Sequence, residues 1–151
     1  MQTPPAPLTP RPLGRSFIGR LTWVGVLSLV AATALNVLIG YAAATFLEIS
    51  RMFWPLNGYG TIVAFTVIGV AGATVVYALV TRYSRNPMRL FLRVAVAALA
   101  LSFVPDILLL VFAPGATLIS VGVLMLMHVA AFLVSVGMLT RLAPSTRRGG
   151  A

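Results

Sequence analysis

A carboxylate in the middle of an apolar stretch is the residue of this sequence best suited to do chemistry. Asp106 follows Pro105 inside the apolar run 90–112, and Glu48 is the only other acidic residue. A charge at the centre of a membrane-spanning helix costs roughly 2.5–3.5 kcal/mol on insertion scales, so such residues are usually paired or functional. Asp106 precedes Phe112 by six positions, which places it about 9 Å from that end of a helix. Pro105 removes one backbone hydrogen bond and is expected to kink the helix.

Three further polar residues lie deep in apolar runs and are candidates to contact Asp106: His128, Asn36 and Ser102. His128 lies about 16 Å from the same end of its own helix, roughly one turn deeper than Asp106. Asn36 has a similar depth in the first run. Two interpretations remain open. Asp106 and His128 form a proton-accepting or ligand-binding pair in a cavity open to the outside, or these polar residues form a hydrogen-bonded clasp that fixes the helix register.

Most other chemistries are excluded by composition. The chain has no cysteine, one histidine and two carboxylates, so a metal site, haem ligation or a Ser-His-Asp triad would need nearly every polar group present. The glycines of the second apolar run do not form a nucleotide-binding loop. We therefore expect no cofactor, no metal and no enzymatic activity.

The elements that position these residues are four apolar runs, at about residues 21–47, 61–80, 90–112 and 117–142. Of the 151 residues, 60% are hydrophobic and 9% are charged, whereas soluble domains carry about 25% charged residues. Each run is long enough for a membrane span of roughly 20 residues. The sequence predicts an all-α, polytopic four-helix bundle at 20–142. A Pro/Arg-rich tail at 1–19 and a basic tail at 143–151 flank it.

The arginines predict the orientation of the bundle. All eleven basic residues are arginines, and ten of them fall before the first run, around the second connection or at the C-terminus, against Arg51 alone on the other side. The positive-inside rule then places both termini in the cytoplasm. The net charge of +9 thus indicates a membrane rather than nucleic acid as the partner. Four arginines at the second connection are also candidates to bind anionic lipid headgroups: Arg82, Arg85, Arg89 and Arg93.

Small and polar residues recur at helical spacing in every run. Such stripes let helix backbones approach closely in lipid, and they are compatible with a homo-oligomer as well as with a compact bundle. The connection between the first two runs carries aromatic residues that suit a membrane–water interface: Phe53, Trp54 and Tyr59. The stripe residues are Ser28, Ala32, Asn36, Gly40 and Ala44; Thr66, Gly69 and Ala73, with Tyr77 one turn further on; Ala95, Ala98, Ser102 and Asp106; and His128, Ala131 and Ser135.

Three segments resemble a family of small, uncharacterised four-helix bacterial membrane proteins, known as a domain of unknown function. They are Pro105-Asp106, the PGAT turn at 114–117 and the MLMH segment at 125–128. The similarity covers residues 21–144. It implies four spans in a bacterial plasma membrane and supplies neither an activity nor site residues. Because polar residues are few and small-residue stripes recur in every run, we expect a non-enzymatic structural or helix–helix interaction module. The carboxylate beside Pro105 supports the alternative, a small proton-coupled transporter or ligand-binding membrane protein using Asp106 and His128.

Overall fold

The structure is a computed structural model, and it describes residues 14–143, all of whose regular elements are helices. They are α1 (Arg15–Phe46), α2 (Tyr59–Tyr83), α3 (Pro87–Phe112) and α4 (Leu118–Leu142). Each is long and apolar enough to cross a membrane, which confirms the predicted fold class. The predicted 1–19 and 143–151 tails fall mostly outside the described residues. Arg15 lies inside α1 rather than in the predicted 1–19 tail, because α1 begins at this residue and is 32 residues long.

Local sequence accounts for where the helices begin and end. α3 begins at Pro87, whose fixed φ and missing N–H suit a first helical position. α4 begins after Thr117, which exchanges hydrogen bonds with Ser120 in a reciprocal capping box. α3 continues through Pro105 to Phe112.

The four helices pack in chain order around the bundle, with α2 and α4 in contact across the diagonal. α1 and α3 are the two helices that do not contact each other among the described residues. α3 is consequently the most exposed helix, and it buries only Phe91 and Asp106. It therefore presents most of its length to lipid.

The small-residue stripe predicted for α1 does face the bundle. Ser28, Ala32, Asn36 and Gly40 are all buried. A Cβ atom added at Gly40 would lie 2.7 Å from Ile62 Cδ1, so this glycine permits close approach of α2. The last stripe residue is wrong: Ala44 is exposed and Ala43 is buried, because a spacing of four residues slowly rotates away from a helix face with 3.6 residues per turn.

The stripes of α2 and α3 behave differently. Gly69 and Ala98 are exposed, and a Cβ atom added at Gly69 would meet nothing within 4 Å. Gly69 therefore does not mediate helix packing within this chain.

One half of the bundle is closed by aromatic packing. We call it the terminal half, because it contains the first turns of α1, the last turns of α4 and the α2–α3 connection. Tyr77 and Phe91 are each 1% exposed, and their rings meet edge to face at 4.9 Å. The Tyr77 hydroxyl donates a hydrogen bond to the Ala143 carbonyl at 2.6 Å, which ties α2 to the end of α4.

The opposite end, the loop half, is covered by the two remaining connections. Phe53 is fully buried against Val121 and Leu124, so its predicted role as an interfacial aromatic residue is wrong, whereas Trp54 and Tyr59 are exposed. The packing requirement of the bundle end explains this difference, because Phe has no polar edge to keep in water. Gly115 has φ +71° and brings the α3–α4 turn against the α1–α2 connection.

Candidate functional site

Asp106 and His128 meet in the loop half. Nδ1 of His128 lies 3.1 Å from Oδ2 of Asp106, so the contact that the sequence left open is formed. The two residues differ in depth by about one turn, at about 9 and 15 Å from the ends of their helices. Helical side chains lean toward the N-terminus of their own helix. Because α3 and α4 run in opposite directions, Asp106 leans deeper and His128 leans outward, which closes the gap.

The histidine proton is directed to the backbone. Nδ1 of His128 also lies 2.9 Å from the Leu124 carbonyl oxygen. Both neighbours of Nδ1 are acceptors, so we assign a proton to this nitrogen. Its N–H points to Leu124, and Oδ2 of Asp106 lacks a hydrogen-bond partner among residues 14–143. The Asp106–His128 approach is thus an electrostatic contact without a well-aligned hydrogen bond.

Asn36 has a different partner from the one predicted. Its amide nitrogen donates to the Thr66 hydroxyl at 3.0 Å, and that hydroxyl donates to the Ile62 carbonyl at 2.7 Å. Asn36 therefore does not hydrogen-bond Asp106. Its Oδ1 atom is buried and has no partner in the described part of the chain. The side chain is fixed by Thr66, with an acceptor left unpaired.

All four predicted polar residues line one cavity of about 740 Å³, which we call the α2–α3 groove. Its deep part, the floor, is formed by the polar residues Asn36, Thr66, Ser102, Asp106 and His128. Its walls are apolar side chains of α2, α3 and α4, and residues of the two connections lie at its end. The walls and end include Phe65, Ile68, Gly69, Leu108, Phe112, Met127 and Ala131, with Trp54, Pro55 and Pro114. Small-molecule sites typically have this size and this mainly apolar lining with a few polar groups.

The floor is accessible mainly through His128 and much less through Asp106. The His128 side chain is 39% exposed and that of Asp106 is 5% exposed. Ser102 is half-buried, and its hydroxyl donates to the Leu99 carbonyl at 2.7 Å. The Ser102 hydroxyl, one turn before Pro105, is thus bonded within its own helix.

The arginine candidates form no part of this site. Arg82, Arg85, Arg89 and Arg93 are all exposed and belong to the terminal half, at the opposite end of α2 and α3 from the groove. Arg82 lies 5.3 Å from the ring centre of Tyr83, a distance typical of a cation–π contact.

Sequence reasoning missed two contributors to the groove. Thr66 was recognised only as a stripe residue, although a hydroxyl at the same depth as Asn36 on the next helix was a usable signal. Trp54 and Pro55 of the α1–α2 connection also line the groove, and no sequence pattern indicates that this connection folds over it. Among the described residues there is also no cluster of three or more metal-ligating side chains.

Comparison with known proteins gives a family without an assigned role. A family model described as "Family of unknown function (DUF6069)" matches residues 15–145. No curated protein and no solved structure matches the chain. The match spans all four helices and confirms the resemblance noted in the sequence. This multi-pass, four-helix chain therefore belongs to the DUF6069 family, whose function is unknown.

Proposed function

We propose that this protein is a non-enzymatic membrane protein that binds a small amphipathic molecule in the α2–α3 groove. The observation that carries the proposal is the position of the Asp106–His128 pair on the floor of an apolar cavity of about 740 Å³. The bundle therefore has room for a ligand beside Asp106 and His128, the polar groups whose burial in an apolar bundle costs the most free energy. This favours the ligand-binding alternative over a purely structural module.

The hydrogen bonding of the floor argues against a simple clasp. A clasp stabilises a bundle when its buried polar groups satisfy one another. Here Oδ1 of Asn36 and Oδ2 of Asp106 are buried without hydrogen-bond partners among residues 14–143. Unsatisfied polar groups in an apolar surrounding cost several kcal/mol. A ligand that donates hydrogen bonds to the floor would offset this cost.

The surroundings of the groove favour a ligand that arrives from the bilayer. Phe65 and Ile68 of α2 and Phe112 of α3 are 61%, 67% and 77% exposed. These side chains flank the groove on both sides and face the space that lipid would occupy. A molecule with an apolar body could move between the acyl chains and the groove without crossing water, while its polar head reaches the floor.

The two tryptophans of the chain allow a direct test. Trp54 lines the groove, whereas Trp23 is 75% exposed on α1. A bromine atom quenches indole fluorescence on contact, so single-tryptophan variants (Trp23→Phe and Trp54→Phe) report the groove and the bilayer separately. We would add ω-bromododecylammonium, ω-bromododecanol and ω-bromododecanoate to lipid nanodiscs that contain each variant. We expect at least one probe to quench Trp54 saturably, while Trp23 quenching follows only the probe content of the bilayer.

Two glycines of α2 provide a matched control. Gly69 and Gly72 are both exposed, and an added Cβ atom meets nothing within 4 Å at either position, but only Gly69 lines the groove. Leucine at position 69 should project into the groove and weaken saturable Trp54 quenching, whereas Gly72→Leu should leave it unchanged. Equal quenching in both variants, or no saturable quenching by any probe, would contradict the proposal.

A second candidate function is a helix–helix interaction module that forms a homo-oligomer. The observation in its favour is that α3 buries only Phe91 and Asp106, which leaves a long apolar face for another membrane helix. Ala95 and Ala98 belong to the small-residue stripe of this helix. If α3 pairs with a second copy, Ala98→Leu should convert an oligomer into a monomer in nanodisc subunit counting, and an unchanged subunit number would argue against it.

We further propose that the protein lies in a bacterial plasma membrane with both termini cytoplasmic. The support is the charge distribution: the terminal half carries Arg15, Arg20, Arg141 and the four arginines around the α2–α3 connection, while the loop half carries Glu48 and Arg51. A cationic end of this kind is retained on the cytoplasmic side and attracts anionic headgroups. Because the chain has no natural cysteine, single cysteines introduced in the connections would report their side by labelling in intact cells.

A further inference from the structure

The polar floor of the groove presents acceptors and few free donors, and this property identifies the ligand head. Each hydroxyl on the floor already donates within its own helix: Thr66 to Ile62 and Ser102 to Leu99. The Nδ1 proton of His128 is directed to the Leu124 carbonyl. The chain's own backbone thus takes up these three donors.

The groups left without partners are acceptors. Oδ1 of Asn36 and Oδ2 of Asp106 have no hydrogen-bond donor among the described residues. Asn36 cannot rotate its amide to exchange the two ends without losing the bond from its nitrogen to Thr66. The carboxylate of Asp106 has His128 as its only ion-pair partner within residues 14–143. The buried polar atoms of the floor that lack a partner are therefore acceptors, and the second N–H of the Asn36 amide is the free donor beside them.

We propose that the α2–α3 groove selects a lipophilic primary ammonium, whose head binds at Asp106 and Asn36 and whose apolar body lies between α2 and α3. This inference rests on the proposed function and specifies its ligand class. A primary ammonium carries three donors and no acceptor, which complements the two unpaired oxygens once the side chains that cover them in this structure, among them His128 at 3.1 Å from Oδ2 of Asp106, move aside. A charge-assisted N–H···O bond to a carboxylate is also stronger than a bond between neutral groups.

The dimensions of the groove agree with this placement. Asp106 lies about 9 Å from the loop-half end of α3, so an ammonium on the floor leaves its chain to pass the apolar walls. Phe65 of α2 and Leu108 of α3 line those walls. A carboxylate head would meet Asp106 with like charge, and an alcohol would supply only one donor.

The same three brominated probes test the head-group preference, because they share one chain and differ only in the head. In the Trp23→Phe protein, we expect the ammonium to quench Trp54 at a bilayer mole fraction at least about tenfold lower than the alcohol. The carboxylate should be weakest. Trp23 quenching in the Trp54→Phe protein corrects each probe for its partition into the bilayer.

Asp106→Asn identifies the residue responsible, since it keeps the side-chain shape and removes the charge. The preference for ammonium over alcohol should largely disappear in this variant. Glu48→Gln is the matched control, because Glu48 is the only other acidic side chain of the chain and lies exposed in a connection. This variant should prefer the ammonium over the alcohol to the same degree as the wild type.

The outcomes separate the two proposals. If all three probes bind equally and Gly69→Leu weakens their binding, the groove is a binding site and the ammonium selectivity is wrong. If the ammonium is preferred equally in wild type and in Asp106→Asn, the assignment of its head to Asp106 is wrong. If Gly69→Leu weakens the binding of no probe, the proposed function itself fails.

Discussion

The two halves of the bundle differ in how their interiors are filled. Each contains a buried oxygen without a partner among the described residues, including Oγ1 of Thr81 in the terminal half, but the groove is lined only by residues of the loop half. In the terminal half, the buried Tyr77 hydroxyl donates to the Ala143 carbonyl at 2.6 Å, and its ring packs against Phe91 at 4.9 Å. In the loop half, the buried oxygens of Asn36 and Asp106 lack hydrogen-bond partners among the described residues and line a groove of about 740 Å³.

This difference indicates that the terminal half contributes mainly to stability and the loop half mainly to binding. A half whose interior is filled by closely packed aromatic and aliphatic side chains is built for stability. A half that keeps a cavity and unpaired acceptors has given up stability, which proteins commonly do at functional sites. The comparison predicts that substitutions in the terminal half change stability more than binding and that those in the loop half do the reverse.

The largest effect is expected from Tyr77→Ala in the terminal half. Truncating a fully buried aromatic side chain leaves a cavity that costs roughly 3–5 kcal/mol, and here the hydrogen bond to Ala143 is lost as well. The thermal unfolding midpoint in nanodiscs should fall sharply, while quenching of Trp54 by the bound probe below that midpoint stays unchanged. Tyr77→Phe is the control and should lose only about 0.5–1.5 kcal/mol.

A Tyr77→Ala protein that unfolds at the wild-type temperature would show that the terminal half does not carry the stability. A variant that remains folded but no longer binds the probe would instead link the two halves and remove the distinction between them.

An intermediate effect is expected from Gly115→Ala, at the turn that holds the loop half together. Gly115 has φ +71°, and an added Cβ atom would lie 2.6 Å from Ser50 Oγ. Left-handed backbone costs an alanine about 1–2 kcal/mol, and Ser50 must also move. Chemical unfolding should show this loss, and Trp54 emission should change because its connection shifts.

Gly60→Ala is the comparison for this turn, since nothing lies within 4 Å of an added Cβ atom there. Alanine within a helix is favoured over glycine by roughly 0.5–1 kcal/mol, so this variant should be slightly more stable. Equal destabilisation by the two substitutions would mean that the contact between the connections is not specific.

The smallest effect on stability is expected from Asp106→Asn. Breaking a buried ion pair that acts as a clasp costs about 3–5 kcal/mol. Because Oδ2 of Asp106 accepts no hydrogen bond from the described residues, we expect a change within about 1 kcal/mol in the free energy of unfolding. A loss of several kcal/mol in the unfolding curve would favour the clasp over the binding site.

The fold was predictable because membrane helices have a strong one-dimensional signal. Four apolar runs of sufficient length specify four helices, and turn residues such as Pro87 and Thr117 mark two of the helix starts. The buried face of α1 was also readable, since Ser28, Ala32 and Asn36 repeat every four residues and all are buried. α1 begins earlier than predicted because arginines at its start do not prevent a helix from extending beyond the apolar run.

The residues of the site were predictable from the sequence, but the contacts between them were not. Asp106 and His128 stood out because polar residues are rare in the apolar runs, but depth along the helices alone left their contact open. The contact forms because side chains on antiparallel helices lean in opposite directions. Whether two helices are antiparallel neighbours depends on the fold and not on depth along each helix. The partner of Asn36, the burial of Phe53 and the exposure of Gly69 depend likewise on packing that no periodicity encodes.

The most direct test of the binding groove uses the fact that the chain has one aspartate. Protein labelled with ¹³C at the aspartate side-chain carboxyl carries that label at Asp106 alone, and ¹⁵N-dodecylammonium carries one nitrogen. Solid-state dipolar recoupling in lipid bilayers then measures the distance between the two. A charge-assisted N–H···O bond has its heavy atoms roughly 2.7–2.9 Å apart, so we predict a carbon–nitrogen distance of about 4 Å or less. Absence of dipolar coupling, with the probe present in the same membranes, would contradict the binding of an ammonium head at Asp106.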